Sequence, residues 1–208
     1  MNSPQSQGHV FLIDDDPSMR QSIERMLVDA GYLVSSYESG EEYLEKSIPV
    51  SPAVILLDMR MPSMTGIELQ QKINELGRKT PIIFISGESA PSEIVSGFKQ
   101  GAMDFLFKPF NLKDLFKAII RGIEVDRETL KEMTESLSAS QRYSRLTPRE
   151  REVCHLLVDG LMNKDIAKNL GTTDATIKVH KARVIEKMQA DSLQSLVRIV
   201  DQALKNPI

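Results

Sequence analysis

The chain has 208 residues, enough for one large domain or two modest ones. It carries 26 Lys and Arg against 29 Asp and Glu, a formal charge of −3, and its 41% hydrophobic content can build packed cores, which excludes a disordered tail. One cysteine, Cys154, excludes an internal disulfide; no apolar run is long enough to span a bilayer, and no charged-then-apolar signal segment opens the chain. A reducing cytoplasm, with no membrane contact, is therefore the expected compartment. The histidines His9, His155 and His180 are scattered and form no metal-ligand pattern. Charge is uneven along the chain. Residues 146–208 hold 10 Lys/Arg against 8 Asp/Glu, a mildly basic +2, and the remainder holds 16 against 21, an acidic −5, which suggests two domains with different partners.

Residues 9–13 read as a buried strand ending in Asp14-Asp15-Asp16-Pro17, with Asp16 as N-cap and Pro17 as first residue of a helix that runs to Gly31. A strand over Leu33–Tyr37 and a short helix around Glu41–Glu45 follow. The continuous apolar run Ala53-Val54-Ile55-Leu56-Leu57 then reads as a strand buried on both faces, and it stops abruptly at Asp58. Next come a helix near Ile67–Leu76, a strand Pro81–Ile85, a helix near Pro91–Gln100, a strand Asp104–Phe107 and a helix beginning after Asn111. Strand and helix alternate five times, which predicts an α/β, doubly wound, five-stranded parallel sheet.

In such a sheet chemistry takes place beyond the carboxyl ends of the strands. Those ends deliver Asp14 and Asp15, Asp58, Ser86, and Lys108-Pro109 to one edge. Three converging carboxylates repel one another unless a cation sits among them. All-oxygen ligands favour a hard ion such as Mg²⁺. A hydroxyl and an ammonium alongside are suited to the remaining oxygens of a phosphoryl group.

These pieces resemble the receiver domain of two-component response regulators, over roughly residues 8–125. The resemblance rests on Ile13-Asp14-Asp15-Asp16-Pro17, Leu57-Asp58-Met59-Arg60-Met61-Pro62 with Gly66, Ile85-Ser86-Gly87, Gly101-Ala102 and Phe107-Lys108-Pro109-Phe110. It implies a flavodoxin-like fold with Asp58 as phosphoacceptor and Mg²⁺ held by Asp14, Asp15, Asp58 and the backbone carbonyl of Arg60. It further implies Ser86 as switch hydroxyl, Lys108 paired with the acyl phosphate across a cis Lys108–Pro109 bond, and Phe105 as switch aromatic without the hydroxyl of a tyrosine. Arg60 and Glu88, each two residues beyond a site residue, are expected to overhang the phosphoryl group and control water access. An aspartyl phosphatase would need an acid where Arg60 stands, and three acids after the first strand would repel a flavin phosphate.

The last receiver helix is predicted to continue to about Leu137, because Phe116, Ile123, Leu130 and Leu137 recur every seven residues. Ser136-Leu137-Ser138-Ala139-Ser140 is expected to fray, and residues 126–144 form a helical linker between domains. Thr147, Pro148 and Glu150 then spell an N-cap, a first helical residue and a capping box. Asn163 caps a short helix through Leu170. Gly171-Thr172-Thr173 joins it to a helix over Asp174–Met188, and a last helix runs from Ser192 to about Leu204. The face carrying Lys178, Val179, Ala182 and Arg183 suits a major groove, with Lys181 nearer the interior.

This half, taken as a domain over 145–208, resembles the LuxR-type helix-turn-helix domain over roughly residues 145–205, and most closely its FixJ-type subgroup. The resemblance rests on Leu146-Thr147-Pro148-Arg149-Glu150-Arg151-Glu152, Gly160-Leu161-Met162-Asn163-Lys164-Asp165-Ile166-Ala167 and Thr176-Ile177-Lys178-Val179-His180, continuing through Met188. It implies an all-α, four-helix DNA-binding domain in which Lys164 and Lys168 contact phosphates and Thr176, Lys178, Val179, Lys181, Ala182 and Arg183 line the reading helix. The function implied is a transcriptional regulator, not an enzyme. It would accept a phosphoryl group from a sensor histidine kinase, form a homodimer and bind double-stranded promoter DNA, with RNA polymerase as a further candidate partner. A constitutive DNA binder with a vestigial receiver is the alternative.

Overall fold

The computed structural model describes residues 7–87 and 89–205. Its packing divides the chain into two units, with the boundary between Leu130 and Lys131.

In the first unit, β1 (His9–Ile13), β2 (Leu33–Tyr37), β3 (Ala53–Asp58), β4 (Ile82–Ser86) and β5 (Asp104–Phe107) form one five-stranded sheet in the order β2-β1-β3-β4-β5. Every pairing is parallel. All six residues of β3 are buried, as its unbroken apolar run requires of a central strand. Alternate residues serve opposite layers. Phe11, Ile13, Ile55, Leu57 and Phe84 pack with residues of α2 (Gly40–Lys46), α3 (Gly66–Glu75) and the loops beside them, whereas Val10, Leu12, Val54, Leu56 and Ile83 pack with α1 (Pro17–Asp29) and the start of α5 (Leu112–Ser144). The strand order reverses between β1 and β3, so the crevice of this fold opens where Asp14 and Asp58 end their strands.

Local caps position the helices around that crevice. Asp16 accepts bonds from the Ser18 and Met19 amides at the start of α1, and its own amide donates to Asp14 Oδ1. Gly66 is required by close approach: a Cβ there would lie 2.5 Å from the Asp58 carbonyl oxygen. At the foot of β3, buried Asp126 of α5 accepts bonds from Ser51 Oγ at 2.6 Å and the Ala53 amide at 2.8 Å. The strand bearing Asp58 is thus tied to α5 at its opposite end.

The second unit contains α6 (Pro148–Val158), α7 (Asn163–Asn169), α8 (Asp174–Met188), α9 (Leu193–Lys205) and the last turns of α5. Thr147 caps α6 within a complete capping box. Met162, not Asn163, is the N-cap of α7, and Asn163 is its first helical residue. Cys154 packs in the core, while His155 bonds the Tyr143 hydroxyl at 2.7 Å.

The expected fraying at Ser136–Ser140 does not occur. Helix α5 is continuous over 33 residues to Ser144, so residues 126–144 are helical throughout, and the packing boundary falls inside that stretch. The reason is tertiary. Ala139 is fully buried, and the Ser136 and Ser140 hydroxyls each donate at 2.9 Å to the carbonyls of Gln202 and Ala203. Those carbonyls belong to the last turn of α9, where helix carbonyls call for partners from outside the helix.

Candidate functional site

At the crevice the structure brings Lys108, Asp14 and Asp58 together. Lys108 Nζ donates to Asp58 Oδ1 at 2.9 Å and to Asp14 Oδ2 at 3.0 Å. Asp58 Oδ2 accepts from the Arg60 amide at 2.9 Å, and Asp14 Oδ1 from the Asp16 amide at 2.9 Å. Lys108–Pro109 is a cis peptide, as the family resemblance implied. Asp58 is 7% and Asp14 1% exposed, so both carboxylates have surrendered most of their water. Burial pushes the Asp58 carboxyl above the usual carboxylate range; the bond and charge of Lys108 pull it back, and the charge of Asp14 pushes it up again. Lys108 loses ground to burial and regains more from Asp58 and Asp14, so its ammonium lies above the ordinary lysine range.

Asp15 stays exposed, and among the described residues no three acidic, histidine or cysteine side chains group closely enough to hold a metal. The cation between the acids here is Lys108. The oxygen donors still suit a hard divalent ion, and burial disfavours the ionised Asp58 carboxyl more than Lys108 favours it.

Ser86 is buried at the end of β4, and its Oγ lies 2.5 Å from Ser89 Oγ. Phe105 is 9% exposed; its ring stacks on Phe84 at 4.9 Å between centroids and tilts against Phe98 at 4.7 Å. A Cβ at Gly97 would sit 2.7 Å from the Phe105 ring, so α4 (Pro91–Lys99) lies almost directly on that aromatic. Arg60 is exposed and faces Glu93 at 3.8 Å; Glu88 lies outside the described residues.

In the second unit Ile177, Val184 and Met188 anchor α8 inward. Thr176, Lys178, Val179, Ala182 and Arg183 are exposed and Lys181 is half-buried, while Lys164 and Lys168 stand exposed on α7. Lys178 pairs with Asp174 one turn earlier at 2.8 Å, and Thr176 shares the Thr173 cap.

Comparison with known proteins matches residues 10–120 to the response regulator receiver domain and residues 144–200 to the bacterial regulatory proteins of the luxR family. The chain belongs to the LuxR-type response regulators. It is 35% identical over 198 residues to the transcriptional regulatory protein FixJ of Bradyrhizobium diazoefficiens, covering 95% of this chain and 97% of that one. Nodulation protein W of the same organism is 35% identical over 190 residues, covering 91% and 84%. Among solved structures, response regulator StyR matches with a TM-score of 0.83 at 36% identity, covering 93% of this chain and 98% of that chain. Full-length FixJ from B. japonicum matches at 0.60 and 34%, covering 97% and 100%. This response regulator is a two-component transcriptional regulator rather than an enzyme, and its two domains imply a sensor kinase and DNA as partners. Among the described residues no helix is long and apolar enough to cross a membrane.

Two contacts of the regulator escaped the sequence reading. Ser89 beside Ser86 looks like any serine in a turn-rich loop. Lys187 reaches the capping-box Glu150 at 2.6 Å across 37 residues, a contact with no local signal.

Proposed function

We propose that Asp58 accepts a phosphoryl group from the phosphohistidine of a sensor histidine kinase, and that phosphorylated regulators pair and bind promoter DNA. The observation that carries this reading is the single ammonium of Lys108 shared between Asp58 and Asp14 at the topological switch point. A carboxylate oxygen of Asp58 attacks phosphorus, the N–P bond breaks, and the imidazole leaves with the electron pair. A carboxylate is a weak nucleophile, so the protein contributes positioning and charge neutralisation. Lys108 can pair with the incoming negative charge, because its ammonium already bonds the Asp58 carboxylate. Asp14, Asp15, Asp58 and the Arg60 carbonyl would hold Mg²⁺. When bound, that ion neutralises phosphoryl oxygens. Ser86 then donates to the phosphoryl group, and Phe105 takes up the space its loop leaves.

Pairing is assigned to the face formed by residues 91–125. There Val95, Phe98 and Phe107 are each about half exposed (51%, 49% and 51%), and Asp104 and Asp114 stand with Lys117 and Arg121 around a hollow of about 490 Å³. Acids and bases on one patch complement each other across a two-fold axis. Two linked reading heads gain affinity through effective concentration. In the groove, Lys178 and Arg183 donate to base edges, Val179 and Ala182 meet methyl groups, Thr176 and Lys181 flank them, and Lys164 and Lys168 contact phosphates. A promoter-bound pair is placed to touch RNA polymerase, and promoter DNA as partner implies a cytoplasmic site of action.

The test is Asp58→Asn in the full chain, treated with a small phosphodonor and Mg²⁺. Phosphate-stimulated dimerisation and DNA binding should disappear while both units remain folded. If the variant still dimerises as the wild type does, Asp58 is not the acceptor. Binding should also weaken steeply with salt, since so mildly basic a domain depends on phosphate contacts.

A further inference from the structure

Ser89 has no part in the reading above, yet it touches Ser86, the residue to which that reading gives the switch hydroxyl. Its Oγ lies 2.5 Å from that of Ser86. Meanwhile both Asp58 oxygens are engaged elsewhere, Oδ1 by Lys108 at 2.9 Å and Oδ2 by the Arg60 amide at 2.9 Å. Ser86 is only 2% exposed, so water competes poorly for its hydroxyl.

Either hydroxyl could be the donor in that contact; we propose that Ser86 donates and that Ser89 is a latch that accepts its proton while Asp58 is unmodified and surrenders it when a phosphoryl group arrives. This rests on the assignment of Asp58 as phosphoacceptor. A hydroxyl has one proton to donate. A bond from that proton to a phosphoryl oxygen is charge-assisted and roughly twice as strong as one between neutral hydroxyls. The exchange is therefore downhill after phosphorylation and unfavourable before it, which gives the hydroxyl two discrete partners. Ser89 positions Ser86 and takes no part in phosphoryl transfer itself.

Release would act on the neighbouring helix. Ser89 directly precedes Ala90, the N-cap of α4, and Gly97 is the only α4 residue that is fully buried. Two side chains of α3 also tie α4 and its C-cap: Gln70 Nε2 donates to the Gly97 carbonyl at 3.1 Å, and Asn74 Nδ2 to that of Gln100 at 2.9 Å. Gln70 Oε1 is buried without a hydrogen-bond partner, so this contact is only half satisfied. Besides these bonds, the Phe98–Phe105 contact and the Arg60–Glu93 pair are what α4 must rearrange if it follows its N-terminal loop.

The experiment titrates the full chain, with Mg²⁺ present, with beryllofluoride as phosphoryl mimic and reads affinity by calorimetry. Ser89→Ala should bind about threefold to tenfold tighter than wild type, the equivalent of one neutral hydrogen bond removed from the competing state. Ser89→Thr, which keeps the hydroxyl, should match wild type. In a Ser86→Ala background, Ser89→Ala should change nothing further, because the two residues act through one bond. Weaker or unchanged binding by Ser89→Ala overturns the latch, as does equal tightening in both backgrounds. If wild type binds the mimic and Ser89→Ala matches it, only the latch fails. If wild type neither binds the mimic nor accepts phosphate, the acceptor assignment fails and takes the latch with it.

Discussion

Two buried carboxylates, one in each unit, are built from nearly the same parts and end in opposite states. Asp58 and Glu150 are 7% and 3% exposed. Each accepts a bond from a lysine, at 2.9 and 2.6 Å, and from a backbone amide, at 2.9 and 2.8 Å. Burial is the largest influence on both and pushes both upward. Glu150 nonetheless lies below the usual carboxylate range, because Lys187 and the Thr147 amide and hydroxyl outweigh burial. Asp58 remains above it, because burial outweighs the bond and charge of Lys108, and the charge of Asp14 adds to the push. What separates a structural pin from a reactive group here is whether the partners outweigh burial. The receiver keeps its acid under-neutralised, and the DNA-binding unit satisfies its acid fully.

Removing the satisfied acid should have the largest effect. Glu150→Ala loses both the cap and the partner of Lys187, and should destabilise the second unit by about 2–3 kcal/mol, discounted because Lys187 is partly exposed. Urea unfolding of wild type and variant measures it, and a loss below that of an ordinary cap would break the comparison. Acid should reach the same contact. A lowered folded pKa confers stability that is present above the unfolded value and lost as pH falls through the folded one. The second unit should therefore weaken progressively below about pH 4.5, the unperturbed glutamate value.

Asp58 carries the opposite sign. A raised folded pKa confers stability that is present at low pH and lost as pH rises, so at neutral pH the ionised acid weakens the receiver. Asp58→Asn should raise the thermal midpoint of the first unit at pH 7 and change it less at pH 4. A lower midpoint at pH 7 would mean that the Lys108 bond outweighs burial. The smallest effect concerns Cys154, whose thiol burial pushes up to about 11. Alkylation at pH 8 should be slow in the native protein and faster in Glu150→Ala, reporting opening of the second unit alone.

The strand-end residues were legible because a carboxylate, serine or lysine closing a buried apolar run has few structural uses. Their topology followed from strand and helix alternating, and Thr147 with Glu150 announced a helix start three residues apart. That Asp14 and Asp58 would share one edge was legible too, but not that Asp15 would stay exposed or that Lys108 would already occupy the space between the other two. Pairings distant in sequence, such as Glu150 with Lys187, leave no periodic trace. Ser136–Ser140 misled for a related reason. Serines lower helix propensity, and nothing local reveals that two of their hydroxyls serve carbonyls more than sixty residues away.

Those hydroxyls also bear on where the DNA-binding half can be cut free. A fragment starting at Arg145, where family likeness would invite the scissors, leaves behind Ala139 and both serine donors, stripping a lid from the hydrophobic interior and uncapping the final helix. One starting near Lys131 retains them, and of the two it is the fragment that should fold cooperatively when produced alone.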